Sequence, residues 1–253
     1  MRIKKNHHTI IEKELGITAD YQYKALHESN FFQSNWHNNK LVALETELPF
    51  NPSVLVLDLG PGSGNFELSF AKRVKHITAI DYHKEALTFL KQKTKNKGIS
   101  NITTIHSDIR DLGTIKTLKK FDIIIMIDVI EHIKQSQADS LIKVFKKLLK
   151  KNGKIGIITP NYHSLWIYIE KILDLFTIVP HFDGAQHLAQ YFPKNLEQIF
   201  KKNGFKKNAM KSFNTFSFFV PSKYLAALLC KIELASAMTF GNLLFGIFEH
   251  DND

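Results

Sequence analysis

Between Ser53 and Phe205, short apolar runs alternate with longer amphipathic ones. "SVLVLDLG" is apolar, β-branched and closed by glycine, which predicts a buried strand. "GNFELSFAKRV" follows as a helix and "HITAID" as a second strand. "HKEALTFLKQKTKNKG" reads as an amphipathic helix ended by Gly98. "NITTIHSD" and the very apolar "KFDIIIMIDVI" predict a third and a fourth strand. "QADSLIKVFKKLLKKNG" reads as a helix stopped at Gly153, and "GKIGIITPN" as a fifth strand. "PKNLEQIFKKNGF" reads as a helix opening near Pro193 and closing at Gly204. Strands alternating with helices predict right-handed βαβ units and a mostly parallel sheet. A run such as "IIIMI" fits its middle, buried on both faces. Ligands of such sheets bind beyond the carboxyl ends of the strands.

The two ends of the chain differ from this middle. Residues 1–50 are polar and aromatic and predict a helical cap, with Pro49 and Pro52 marking its boundary. Residues 51–212 form the alternating domain, and residues 213–253 an apolar extension. Within that extension, "YLAALLCKIELASAMTFGNLLFGIFEH" is nearly free of charge. Lys231 and Glu233 interrupt it, so it lacks the run of about 20 apolar residues that a spanning helix needs. It predicts a helical hairpin turning near Gly241, packed on the core or on a second subunit of a homodimer. The rival use is a peripheral membrane contact through residues 222–249. A second apolar stretch, Asn161–Gly184, interrupts the alternating domain. Its Trp166, Tyr168, Phe176 and Phe182 serve either as an acceptor wall or as ordinary core.

The 253 residues are 44% hydrophobic, enough for a sizeable core, and carry a formal net charge of +10. The lysines are scattered over helix ends and turns, which favours a solvated surface over a nucleic-acid groove. The one cysteine, Cys230, excludes an internal disulfide and a cysteine-rich zinc site and fits a reducing compartment. No secretory signal is read in "MRIKKNHHTIIEKELGITAD". The expected location is cytoplasmic, with membrane-peripheral as the variant.

The chemistry gathers at strand ends. After the first strand the chain reads Asp58-x-Gly60-x-Gly62-x-Gly64, a turn that lets the backbone approach a ligand closely. A phosphate-cradling loop needs Gly-Lys-Ser/Thr, but Gly64 is followed by Asn65 and Phe66. The dinucleotide fingerprint fails too, because its third glycine position holds Asn65. An adenosine without phosphates is the better fit. Asp81 ends the second strand, about 20 residues on, where an acid can accept ribose hydroxyls or cap the next helix. Asp108 ends the third, where a carboxylate can accept the adenine amino group while Ile109 packs on the ring. Asp108 also reads as a turn cap.

"VLDLGPGSGNF", "ITAIDYHKEAL", "HSDIRDL" and "FDIIIMIDVIEHI" together resemble the class I S-adenosylmethionine-dependent methyltransferases. "LKKNGKIGIITPN" and "HLAQYFPKNLEQIFKKNGF" extend the resemblance over about Val54 to Phe205. "IDVIEHI" with "HLAQYF" is similar to the branch holding ubiquinone-biosynthesis O-methyltransferases and related lipid, sugar and small-molecule enzymes. The resemblance implies an α/β, doubly wound, mostly parallel, Rossmann-like seven-stranded sheet with helices on both faces. It implies S-adenosylmethionine as cofactor, held by Asp58, Gly60, Gly62 and Gly64 at the methionine part. Asp81 and Tyr82 then lie at the ribose, Asp108 and Ile109 at the adenine, and Asp128 beside the methyl donor. It implies methyl transfer to a small-molecule or lipid-like acceptor, foremost at oxygen. Glu131, His132 and His187 are the candidate bases, since an oxygen nucleophile gains from losing its proton. Asp128, Glu131 and His132 would also suit a divalent ion, but no metal is assigned. The rival readings are a nucleic-acid methyltransferase and a non-catalytic S-adenosylmethionine-binding protein. The first is opposed by "IDVIEH" where an Asn/Asp-Pro-Pro-aromatic run belongs.

Overall fold

Seven strands lie in one sheet: β1 (Leu55–Leu59), β2 (His76–Asp81), β3 (Ile102–His106), β4 (Phe121–Ile127), β5 (Leu149–Pro160), β6 (Phe205–Phe213) and β7 (Leu243–His250). This computed structural model describes residues 18–164, 187–236 and 238–251. The strand order is β3-β2-β1-β4-β5-β7-β6. Strands β1 to β5 pair in parallel, and β7 runs antiparallel to both β5 and β6. Helices α1 (Tyr21–His27) and α2 (Phe31–Glu47) precede the sheet. Helices α3 (Asn65–Phe70), α4 (Lys84–Asn96) and α5 (Gln135–Leu148) connect the parallel strands. Helix α6 (Pro193–Lys202) leads into β6, and α7 (Lys223–Ala235) lies between β6 and β7. The chain order reverses between β1 and β4, so the crevice for a ligand opens at their carboxyl ends.

The central strands are apolar throughout because each buries both faces. Leu57, Leu59, Ile124, Met126, Ile155 and Ile157 join one core with Leu141 and Phe145 of α5 and Leu196 and Phe200 of α6. The alternate positions Val56, Ile123, Ile125 and Ile158 join a second core with Val42 and Leu44 of α2, Phe66 and Phe70 of α3 and Leu234 of α7. Helix α5 buries Ala138, Leu141, Ile142 and Phe145, the spacing of one helical face.

The helix expected to run to Gly153 ends at Leu148, and β5 begins at Leu149. A β-carbon on Gly153 would lie 2.9 Å from the carbonyl oxygen of Asp122, so this glycine marks a close strand approach. The apolar extension supplies one helix, α7, but its second half is not helical. Leu243–His250 is strand β7, wedged between β5 and β6. An apolar run buried on both faces carries no period that separates strand from helix. The connection from β6 to β7 is therefore a hairpin enlarged by α7, and β7 is part of the sheet. The stretch holding Trp166, Tyr168, Phe176 and Phe182 lies outside the described residues.

Candidate active site

The glycine turn sits at the end of β1, with Gly60, Gly62 and Gly64 all in the left-handed region (φ 80°, 53° and 85°). What approaches Gly62 is Gln22 of α1: its Oε1 would lie 2.0 Å from a β-carbon there. Ser63 donates its amide to that Oε1 (3.3 Å), Asn65 donates its side-chain amide to the Gln22 carbonyl (2.8 Å), and Tyr23 donates its amide to Ser63 Oγ (2.7 Å). The N-terminal cap is thus docked onto the turn.

Asp81, at the tip of β2, is buried. One carboxylate oxygen accepts the Gly62 amide (3.0 Å) and the other the His83 amide (2.8 Å). The N-cap of α4 is His83 and not Asp81, whose carboxylate instead ties β2 to the glycine turn. Burial raises its pKa against the pull of these amides. Tyr82 follows, half-buried. Asp108 caps the 3₁₀ turn Ile109–Thr114 by accepting the Arg110 amide (2.9 Å), and its carboxylate is gripped by the Arg110 guanidinium. Ile109 is buried.

Asp58 is buried beside Glu67 of α3. Burial and the second carboxyl raise Asp58 well above the usual range, and burial pushes Glu67 up to about 7. Asp128 follows β4 with φ 52° and forms an ion pair with Lys40. Gln22, His37, Lys40, Asp58, Gly60, Asn65 and Asp128 line a cavity of about 40 Å³ between α2 and the turn. Burial and the neighbouring Lys40 ammonium push the His37 ring down to about 3, so it is neutral there.

Beyond Asp128 the three base candidates come together. Glu131, His132 and His187 each offer a ligating atom within 4.8 Å of the others, and no other such group of three His, Cys, Asp or Glu occurs among the described residues. The sequence places His187 far from the other two; the chain returns it after β5. The Ala189 amide donates to the Glu131 carbonyl (3.1 Å) and secures that return. Glu131 is fully buried, and Thr159 Oγ1 donates to its Oε2 (2.9 Å). Burial and the Asp128 charge push the Glu131 acid up to about 8, so it is protonated at neutral pH. Burial and His132 push His187 down to about 4, so its imidazole is neutral. Tyr162 hydrogen-bonds His187 Nδ1, and the buried Tyr191 hydroxyl stands in the same group, its pKa raised by burial and by Glu131.

Lys40, Gln22, Thr159, Tyr162 and Glu67 have no sequence signal of their own, whereas Tyr191 stands in the "HLAQYF" segment. Lys40 is the instructive case. Helix α2 lacks an apolar stripe, because its buried face holds Ser34, Asn35, Asn39 and Lys40. A lysine that is 2% exposed in a helix of that kind reads, in one dimension, as a surface residue.

Residues 51–214 match the family model for a methyltransferase domain. Over 164 residues the chain is 28% identical to a ubiquinone biosynthesis O-methyltransferase of Pelagibacter ubique, covering 64% of this chain and 65% of that protein. It is 27% identical over 198 residues to the mitochondrial ubiquinone biosynthesis O-methyltransferase of Dictyostelium discoideum, covering 71% and 60%. The chain thus spans somewhat under two thirds of the length of these relatives. Among solved structures it resembles magnesium protoporphyrin IX methyltransferase of Synechocystis (TM-score 0.63, 16% identity, 95% and 98% of the chains). It also resembles N-methyltransferase NodS of Bradyrhizobium japonicum (TM-score 0.59, 16% identity, 96% and 97%). Both were solved with S-adenosyl-L-homocysteine bound.

Proposed function

The chain belongs to the class I S-adenosylmethionine-dependent methyltransferases, and from that premise we propose that it methylates an oxygen of a small, lipid-like acceptor. S-adenosylmethionine is the cofactor, and it brings a methyl group already activated on a sulfonium. The residues present suit it: left-handed glycines at the β1 turn, and buried acids at the tips of β1 and β2. Asp81 accepts the ribose hydroxyls, Asp108 and Ile109 hold the adenine, and Gly60, Gly62, Gly64 and Asp58 hold the methionine part. Lys40 and Asp128 face that part as a paired cation and anion.

The observation that carries the oxygen assignment is the neutral His187 beside Glu131 and His132. In the tautomer whose Nδ1–H donates to the Tyr162 hydroxyl, Nε2 carries the lone pair that takes the acceptor's hydroxyl proton. Glu131, its pKa raised by burial and by Asp128, is held toward its neutral form beside that charge. Little else is asked of the protein than alignment, which supplies much of the rate. The lipid-like acceptor draws on the printed function of the ubiquinone-pathway relatives. Of residues 222–249, only those left exposed can serve a bilayer contact, since β7 is buried.

Labelled methyl donor incubated with separate aqueous and lipid extracts tests this. Label in the lipid fraction is expected. Donor binding with no label in either fraction would mark a non-catalytic binding protein. His187→Gln is expected to lower kcat about 100-fold, the low end for a lost general base, because the donor is pre-activated. Wild-type kcat should rise with pH through about 4, where His187 becomes neutral, and then level off. A rate unchanged in His187→Gln removes His187 as the base.

A further inference from the structure

We infer that the outward face of α7, with the turn before it, docks onto an anionic lipid bilayer. The inference rests on the lipid-like acceptor reading and adds to it the surface and the headgroup charge.

Helix α7 is about 20 Å long at 1.5 Å per residue. It buries Ala226, Cys230, Glu233 and Leu234 against α2 and the sheet. Its other side is apolar as well. Tyr224, Leu228 and Ile232 recur at every fourth position and are 90%, 55% and 56% exposed, with Leu225 at 56%. Phe216 and Phe219, from the 3₁₀ turn packed on α7, are 60% and 50% exposed. A helix at a water-facing surface carries polar residues on that side. Six exposed large apolar side chains on one helix and the turn packed against it mark an interaction site instead.

The charges decide what covers it. Lys223 and Lys231 are the exposed charges of α7. Its one carboxylate, Glu233, is buried and fully engaged by the 214–217 backbone. Near the start of the helix, burial lowers the pKa of His27, and Lys223, Lys97 just past α4 and Lys93 of α4 lower it further, while Glu28 raises it. Two exposed lysines of α7 itself thus flank the apolar positions, on a chain of net charge +10. A second copy set against this face would bring lysine toward lysine, whereas anionic headgroups complement it. The helix lies in the interface and does not cross it: no described helix is long and apolar enough to span a membrane.

The test uses the full chain, without turnover, in co-sedimentation with phosphatidylcholine vesicles with and without about 30 mol% phosphatidylglycerol. Binding to the anionic vesicles is expected to exceed binding to the neutral ones about tenfold and to fall as salt is added. Leu228→Glu with Ile232→Glu should lower vesicle binding at least tenfold. Lys231→Glu should lower it about fivefold. Tyr224→Asp, at the most exposed position, keeps the test open should the double variant not fold. All should retain wild-type affinity for S-adenosylmethionine in calorimetry. Equal vesicle binding by variants and wild type overturns the proposal. So does a dimer in light scattering that Tyr224→Asp dissociates, which gives the face to a second copy. So does a lower melting temperature in Tyr224→Asp, which shows the face covered by the chain's own residues. A wild type that does not bind the anionic vesicles while label still enters lipid extracts sinks the docking surface alone; wild-type vesicle binding without lipid label sinks the acceptor reading alone.

Discussion

Asp81→Ala is expected to weaken S-adenosylmethionine binding by about 100- to 10,000-fold, measured by calorimetry, with the fold retained. A carboxylate that accepts two ribose hydroxyls contributes about 1.5–3 kcal/mol per hydrogen bond, and each 1.4 kcal/mol is about tenfold in affinity. The same carboxylate holds the Gly62 amide, so its loss also loosens the turn on which the methionine part rests. Stability should change by only about 1–2 kcal/mol. The two freed amides lose a partner, but an acid that burial opposes is removed with them. Asp81→Asn keeps an acceptor and should fall between wild type and alanine. Lowering the pH through the raised pKa of Asp81 protonates it, so donor affinity should decline in acid. Unchanged affinity in Asp81→Ala would disprove the ribose contact, whatever the enzyme methylates.

Glu233→Ala is expected to cost about 4 kcal/mol of stability, a drop of roughly 10 °C in Tm for a chain of this size. Glu233 is 4% exposed. Its two oxygens accept from the amides of Asn214 (2.7 Å), Thr215 (3.2 Å), Phe216 (2.6 Å) and Ser217 (2.9 Å), and from Ser217 Oγ (2.8 Å). Asn214 sits at φ 65°, so the turn is one the chain does not adopt unaided. Asn39 and Asn242 bind the same turn through the Asn214 side chain and carbonyl. Alanine strips the acceptor from several buried donors at once, and water entering the gap recovers only part of the loss. Glu233→Gln keeps one oxygen acceptor and should cost about half as much. A thermal melt of Glu233→Ala within 2 °C of wild type would show the turn held by the asparagines alone.

β1, β2 and β4 were legible in the sequence because the middle of a parallel sheet demands continuous apolar runs, and glycines or acids end them. The glycine turn and the acids Asp58, Asp81, Asp108 and Asp128 were legible for the same local reason: each stands at the end of a recognisable strand. The meeting of Glu131, His132 and His187 was legible only as a list of residue types. Nothing local says that the chain after β5 returns His187 within 4.8 Å of Glu131. Lys40 and Glu233 were opaque, since a charged residue on a helix reads as solvated until a partner elsewhere in the chain buries it.

The sequence alone determined the βαβ order and the strand-end turn, because periodicity and turn residues act over a few positions. Tertiary structure alone decided that Leu243–His250 is a strand, that α7 keeps an apolar face outward, and that Lys40 lies beside Asp128. Those outcomes depend on which surfaces meet across the fold. An apolar octapeptide becomes a strand because β5 and β6 offer it two unpaired edges, and a buried charge is stable only where the opposite charge or a set of amides awaits it.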